Sequence, residues 1–273
     1  MNPLKRILFV VSEDWYFISH RLHIAQYALK QGYSVGVLCR LREQGAMLSA
    51  KNIAVFDWNL ERKSVNLFRE YRSIQEINTT INIFKPDVIH AVALKPVLYA
   101  LLVKLFHQNI HYVLALGGLG YAFHSEKLLA KAARGFLKIL FRLAARNNCL
   151  TLLQNTDDQY ILESRNFVSH EKIRVIRGAG VDTVQFSQGP MPQGVPLVVL
   201  PARMLWNKGV GDFIDCARMF KNQGINARFI LVGGRDEHNP ESISLQQLES
   251  WQQQGIVEWL GHRTDMPDIL KQA

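Results

Sequence analysis

Short, mainly apolar runs recur along the first half of the chain at 7–11, 35–38, 53–56, 88–91, 112–115 and 150–153. Runs with so little polar alternation are the pattern of strands buried on both faces. Longer stretches of helical period separate them. One runs from about 17 to 30 and is closed by Gly32, a helix stop signal. A short helix precedes 53–56, and a long one covers 67–84, ending before Pro86, whose ring cannot continue it. Strands alternating with helices predict βαβ units and a parallel sheet with both faces covered. Near residue 190 the pattern changes to Gly189-Pro190-Met191-Pro192-Gln193-Gly194-Val195-Pro196, a Pro/Gly linker. A second series then opens, with strands at 197–200, 228–232 and 257–260. The expectation is an α/β protein of two Rossmann-like domains, 1–190 and 195–273, the second incomplete. Its last residues, 266–273, carry the start of a helix with no strand after it, and three strands bury little surface. Ligands of paired α/β domains bind at the carboxyl ends of strands, between the domains.

Composition narrows the function classes. The apolar content of 48% is that of an ordinary globular protein. Three well-separated cysteines, Cys39, Cys149 and Cys216, argue against a disulfide framework or a zinc site and fit a reducing, cytoplasmic setting. The N-terminal apolar run is too short for a signal peptide, and no apolar stretch reaches the roughly 18 residues of a spanning helix. A net charge of +9 favours anionic partners, although solubility alone accounts for it equally well. Nucleic acid is not expected, because the basic residues interleave with buried-type apolar ones. A nicotinamide-dependent enzyme is not expected either: Ser12-Glu13-Asp14-Trp15 follows the first strand where G-x-G-x-x-G belongs.

Candidate chemistry concentrates at strand ends. Arg203 and Lys208 flank the loop after 197–200, just ahead of a helix start, where two cations and a helix N-terminus make a pocket for a diphosphate. Two surface cations in an ordinary loop have the same spacing. Gly233 and Gly234 with Arg235 end the next strand, and Gly261-His262-Arg263 the third. Glycines there let a ligand approach the backbone or simply make a tight turn. In the first domain, His20, Arg21 and His90 lie near strand ends, and Gly117, Gly118 and Gly120 follow the fifth strand. A structural role explains each of them as well as a functional one. Asn155 and Asp157 stand where helix caps belong. No D-x-D motif or ligand-spaced His/Asp cluster suggests a metal.

The order R-x-x-x-x-K-G, L-V-G-G, V-E-W-L-G-H resembles the donor domain of retaining GT-B glycosyltransferases of family 4. Gly180-Val181-Asp182 to Phe186 resembles that family's G-V-D-x-x-x-F segment. Ser19-His20-Arg21, Asp87 to Ala91 with Lys95-Pro96, Gly117 to Tyr121, and Gln154 to Asp158 are similar to a branch that extends lipid-linked oligosaccharides of bacterial O-antigens and capsules. The resemblance spans nearly the whole chain. It implies a nucleotide-sugar donor, such as a UDP-hexose or UDP-N-acetylhexosamine, a lipid-diphosphate-linked glycan acceptor, and retention without a metal or other cofactor. It implies that Arg203 and Lys208 hold the diphosphate and act as catalytic cations. Gly233, Gly234, Arg235 and Arg263 would border the nucleotide, and His20, Arg21, His90, Lys95, Gly117, Gly118 and Gly120 the acceptor side. Two departures stand out: glycines replace a histidine common in relatives near Leu116-Gly117-Gly118, and the family's E-G-x-P motif is absent before Ala273. Glu241 and Glu249 do not supply it, lying before Gly261-His262. The alternative to an enzyme is therefore a non-catalytic remnant that binds nucleotide, lipid or a partner.

Residues 125–147 form a basic helical pattern in which Lys127, Lys131, Arg134, Lys138, Arg142 and Arg146 recur at steps of three or four among apolar residues. Such a helix suits an anionic bilayer surface, and a lipid-borne acceptor requires an enzyme that comes to it. A domain helix with its basic side in water has the same pattern. The expected location is the inner face of the cytoplasmic membrane.

Overall fold

The computed structural model describes residues 5–42, 44–61, 64, 66–119, 123, 128–145, 147–237 and 239–273. They form two compact units, Met1–Gly180 and Val181–Ala273. The first is built on seven strands: β1 (Arg6–Glu13), β2 (Ser34–Arg40), β3 (Ile53–Asp57), β4 (Val88–Val92), β5 (His111–Leu116), β6 (Cys149–Leu153) and β7 (Ile173–Val175). Every neighbour pair is parallel, in the order β3-β2-β1-β4-β5-β6-β7. The apolar run in β1 serves both faces. Leu8 and Val10 pack into one core with Ile89 and Tyr112, while Phe9 and Val11 pack into the other with Val35 and Val37. Burying each such side chain stabilises by roughly 1.5–3 kcal/mol.

Helices α1 (Asp14–His20), α2 (Leu22–Lys30) and α3 (Gly45–Ser49) cover the second of these faces through Phe17, Ala25, Ala28 and Leu48. The first is covered by α4 (Leu67–Phe84), α5 (Leu94–Lys104), α6 (Leu128–Ala144) and α7 (Thr156–Ser164). The long helix expected over 67–84 is α4: Asn66 caps it by accepting from the amides of Phe68 and Arg69, and Lys85 ends it in the left-handed region. The single helix expected over 17–30 is broken in two. Arg21, at φ −134°, interrupts it, and the side chain of this residue is buried at the break. The short strand β7 was not expected, since three residues carry too little pattern; it exists because the edge of β6 supplies its hydrogen bonds.

In the second unit β8 (Leu197–Pro201), β9 (Arg228–Val232) and β10 (Glu258–Trp259) form a parallel sheet in the order β10-β9-β8. The strand expected over 257–260 is thus only two residues long. Phe229 and Leu231 face a core made with α8 (Val210–Asn222) and α9 (Leu245–Gln253). Ile230 and Val232 face α10 (Met266–Leu270). The Pro/Gly segment sits in this unit, with Gly189 close to the Lys271 side chain.

Two backbone positions at strand tips behave oppositely. Gly233 ends β9 at φ 151°, and a Cβ there would stand 1.8 Å from the Ala202 carbonyl oxygen. Ala93, between β4 and α5, holds φ 80° and ψ 161°, a region that favours glycine, while its amide donates to the Ala115 carbonyl at 2.9 Å. Gly233→Ala is expected to lower the unfolding free energy by about 2 kcal/mol or more, and Ala93→Gly to raise the thermal midpoint. Calorimetry of both variants checks the pair.

Candidate functional site

Parallel strands deliver their carboxyl ends, and the helix N-termini that follow, to one edge of each sheet. In the second unit that edge is a stitched set of loops. The Ala202 amide donates to Val232, the Met204 amide to Gly234, the Ile243 amide to Met204, and the Trp206 amide to Glu241. Leu205 also bridges Ser242. Arg203 therefore leaves the loop directly beyond β8, and Lys208 closes the short 3-10 turn Trp206–Lys208 that leads into α8. Gly209 caps α8 in the left-handed conformation with no side-chain acceptor, so the first amides of α8 have no side-chain partner at the cap.

The cations of this edge differ in their partners. Arg203 is 60% exposed and its Nη1 donates to Asp236 at 2.8 Å. Lys208 has no acidic partner within 4 Å among the described residues. Arg235 instead holds its own loop, donating from Nε to the Ile243 carbonyl and from Nη1 to Glu237. Arg263 pairs with Asp265 through Nε and Nη2 at the start of α10. The missing Cβ of Gly233 is accounted for by the chain itself, whereas a Cβ on Gly234 would meet only the Cβ of His262 at 3.7 Å. Glu249 is exposed on α9, and Glu241 lies in the loop before it.

In the first unit the acidic pair where β1 meets α1 is structural. Asp14 is 1% exposed; it accepts from the amides of Trp15, Arg42 and Gln44, while Glu13 pairs with Arg42. Lys95 is likewise engaged: its ammonium donates to Glu70 at 2.9 Å and to the carbonyls of Glu61 and Ser64. Those three bonds use all three of its donors. The same Glu70 accepts from the Tyr99 hydroxyl, which burial holds above its ordinary pKa.

His20 stacks on Tyr16 at 4.1 Å and bonds Ser19 through Nδ1. Burial lowers its pKa. A Cβ on Gly117 would stand 3.6 Å from the Gln154 side-chain oxygen and 3.7 Å from the Tyr16 hydroxyl. Gly118 is exposed, with nothing within 4 Å of a Cβ position. Arg21 and His90 turn inward to a small cavity that Gln154 also lines. His90 stacks on Phe9, and burial, followed by the nearby Arg21 charge, depresses its pKa to about 3. In the sequence nothing marks Gln154 as a site residue, since an amide at a strand end has no distinguishing spacing. Gly120, Lys127 and Arg146 lie outside the described residues. Lys131 and Arg142 are exposed along α6, and Arg134 and Lys138 half-buried. Among the described residues no group of three or more potential ligands clusters as a metal site, and no helix is long and apolar enough to cross a membrane.

An unfolded chain protonates His90 as pH falls through about 6.5, whereas the folded chain resists until about 3. The stability held by neutral His90 is therefore complete above 6.5 and is lost on acidification toward 3. Urea midpoints measured from pH 7 to 4 should fall further for the wild type than for His90→Gln. Parallel curves would reject this account.

Residues 6–154 match the family described as Glycosyl transferase 4-like. The chain is 25% identical over 232 residues to N,N'-diacetylbacillosaminyl-diphospho-undecaprenol alpha-1,3-N-acetylgalactosaminyltransferase of Campylobacter jejuni, covering 80% of this chain and 59% of that protein. A glycosyltransferase structure from Rickettsia africae superposes with a TM-score of 0.71 at 17% identity, covering 99% of this chain and 72% of the other. Anabaena HepE in complex with UDP and glucose gives 0.68 at 17% identity, covering 98% and 72%. These two structures share the fold, which is that of GT-B glycosyltransferases. With the matched segment running from β1 through the end of β6, the chain belongs to the Glycosyl transferase 4-like family.

Proposed function

We propose that the protein is a glycosyltransferase that moves a sugar from a nucleotide-sugar donor to a lipid-diphosphate-linked glycan, with retention, in bacterial surface polysaccharide synthesis. The observation that carries the reading is the donor-side edge: Arg203 and Lys208 stand on one loop, ahead of an α8 start with no side-chain cap, in a chain of this family. Departure of a nucleoside diphosphate develops negative charge on its phosphates, and fixed cations with backbone donors stabilise that charge without reorganising. Arg203 exchanges its Asp236 carboxylate for phosphate oxygens, and Lys208 adds a second charge. Gly234 and the neighbouring backbone border the nucleotide. No step requires a metal or other cofactor. The Campylobacter relative, named for a diphospho-undecaprenol-linked acceptor, supports the acceptor class, and HepE bound to UDP supports the donor class.

The acceptor's lipid brings the protein to the inner face of the cytoplasmic membrane, and α6 is suited to lie there. Its Leu137, Leu140, Phe141 and Ala144 are buried in the core, while Phe136, Ile139 and Leu143 are 52%, 59% and 57% exposed. At 100° per residue those three share an arc of about 60°, next to the arc of Lys131, Arg134, Lys138 and Arg142. An exposed apolar stripe beside a basic one fits the headgroup boundary of an anionic bilayer.

Incubation with bacterial membranes and labelled UDP- and GDP-sugars, followed by organic extraction, tests the activity. Label should enter the lipid fraction, and Arg203→Ala or Lys208→Ala should lower transfer by about 10²-fold or more. Nucleotide affinity without transfer would favour the binding-only alternative; no nucleotide affinity, or affinity indifferent to both substitutions, would remove the donor assignment. For the membrane contact, Phe136→Ser with Ile139→Ser should weaken sedimentation with anionic vesicles at least severalfold while leaving the thermal midpoint nearly unchanged.

A further inference from the structure

A second basic site lies in the first unit, apart in sequence from the donor loop. A cavity of about 130 Å³ sits where β4, β5 and β6 end, lined by Arg21, His23, His90, Leu116, Gln154 and Gly178 among others. That is well below the roughly 300–1,000 Å³ of pockets that take drug-sized ligands, and too small for a whole sugar nucleotide. Two of its polar residues are deeply buried. Arg21 is 7% exposed and His90 9%, and Nε of the one and Nε2 of the other have no hydrogen-bond partner among the described protein atoms. Among the described residues the Arg21 side chain makes one hydrogen bond, from Nη1 to the His20 carbonyl at 2.8 Å. Among the described residues no carboxylate acts on its charge, and the groups it acts on, His20 and His90, are themselves basic. A buried guanidinium without a counter-charge is costly, and a buried donor left unmet adds to that cost. Arg21 is also the cap residue of the nine-residue helix α2, with no side chain accepting from the first turn. The N-terminal turn of α2 lines the cavity through Arg21, His23 and Ile24, so the positive end of the helix faces it.

We propose that this cavity binds a phosphate group, held by Arg21 and His90 at the start of α2. A phosphate supplies the counter-charge that Arg21 lacks, accepts from its Nε and from the first amides of α2, and meets neutral His90 at Nε2. Its source is either free inorganic phosphate or the phosphoryl end of a larger molecule such as a lipid diphosphate. The site stands on residues of the first unit alone and does not depend on the donor loop.

The test is thermal denaturation of the full chain at constant ionic strength, titrated with inorganic phosphate and, separately, with farnesyl diphosphate. The wild type and Arg203→Ala should both show a saturable rise in Tm, roughly 2–4 °C. Arg21→Met should lose at least tenfold in phosphate affinity without losing stability in plain buffer, because a buried unpaired charge has been replaced by an apolar chain. His90→Gln should weaken phosphate several-fold, and it carries the test should Arg21→Met not fold. An Arg21-dependent preference for farnesyl diphosphate identifies a lipid-borne phosphate, and equal affinities identify the free ion. A phosphate response undiminished in Arg21→Met or His90→Gln overturns the site. So does a response lost only in Arg203→Ala, which assigns it to the donor loop, or no saturable response at all, which leaves the cavity to water.

Discussion

The parallel order of both sheets is the constraint on which the chemistry rests. Because each strand runs the same way as its neighbours, every carboxyl end falls on one edge, and every crossover helix begins there. Backbone amides at helix starts and cations in the connecting loops are thereby gathered without any side chain having to reach far. In the first unit the order turns at β1, between β2 and β4, and the side chains that bear chemistry cluster at strand ends around that turn. In the second unit, loops after β8 and β9 are locked by direct backbone bonds, Ala202 to Val232 and Met204 to Gly234. That locking fixes where Arg203 leaves the chain, and it works only because Gly233 has no side chain to push Ala202 away.

The two edges use charge differently. Three of the donor-side cations are exposed, and two of these are matched with nearby carboxylates, Arg203 with Asp236 and Arg263 with Asp265. Exposed pairs of this kind are weakened by solvent screening, so an anionic ligand displaces them at small cost. The first unit instead buries an unmatched Arg21 beside a neutral His90. Stability is forgone there, which is where a folded chain most often keeps a function.

Several side chains with promising chemistry in the sequence hold the fold together instead. Lys95 ties α5 to α4 and to the segment before it, and Arg235 bonds Ile243 and Glu237. Asp14, buried and bonded to three amides, fixes the connection after β2. A strand end marks a residue as well placed for a ligand, but its nearest partner is often its own loop.

The sequence by itself determined the alternation of strands and helices, the two-part organisation, the bounds of α4, and the loops that carry Arg203, Lys208 and the glycines. Those features are local: hydrophobic period, capping residues and turn formers act over a few positions and are legible there. Only the tertiary structure decided that β7 exists, that Arg21 breaks the first helix, and that the final strand shrinks to two residues, since each depends on what a distant strand edge or core offers. It alone brought Arg21, His90 and Gln154, some 133 positions apart at the extremes, to the wall of one cavity. It also separated free cations from paired ones. Charge and position are written along the chain, but burial and partnership arise only where segments meet.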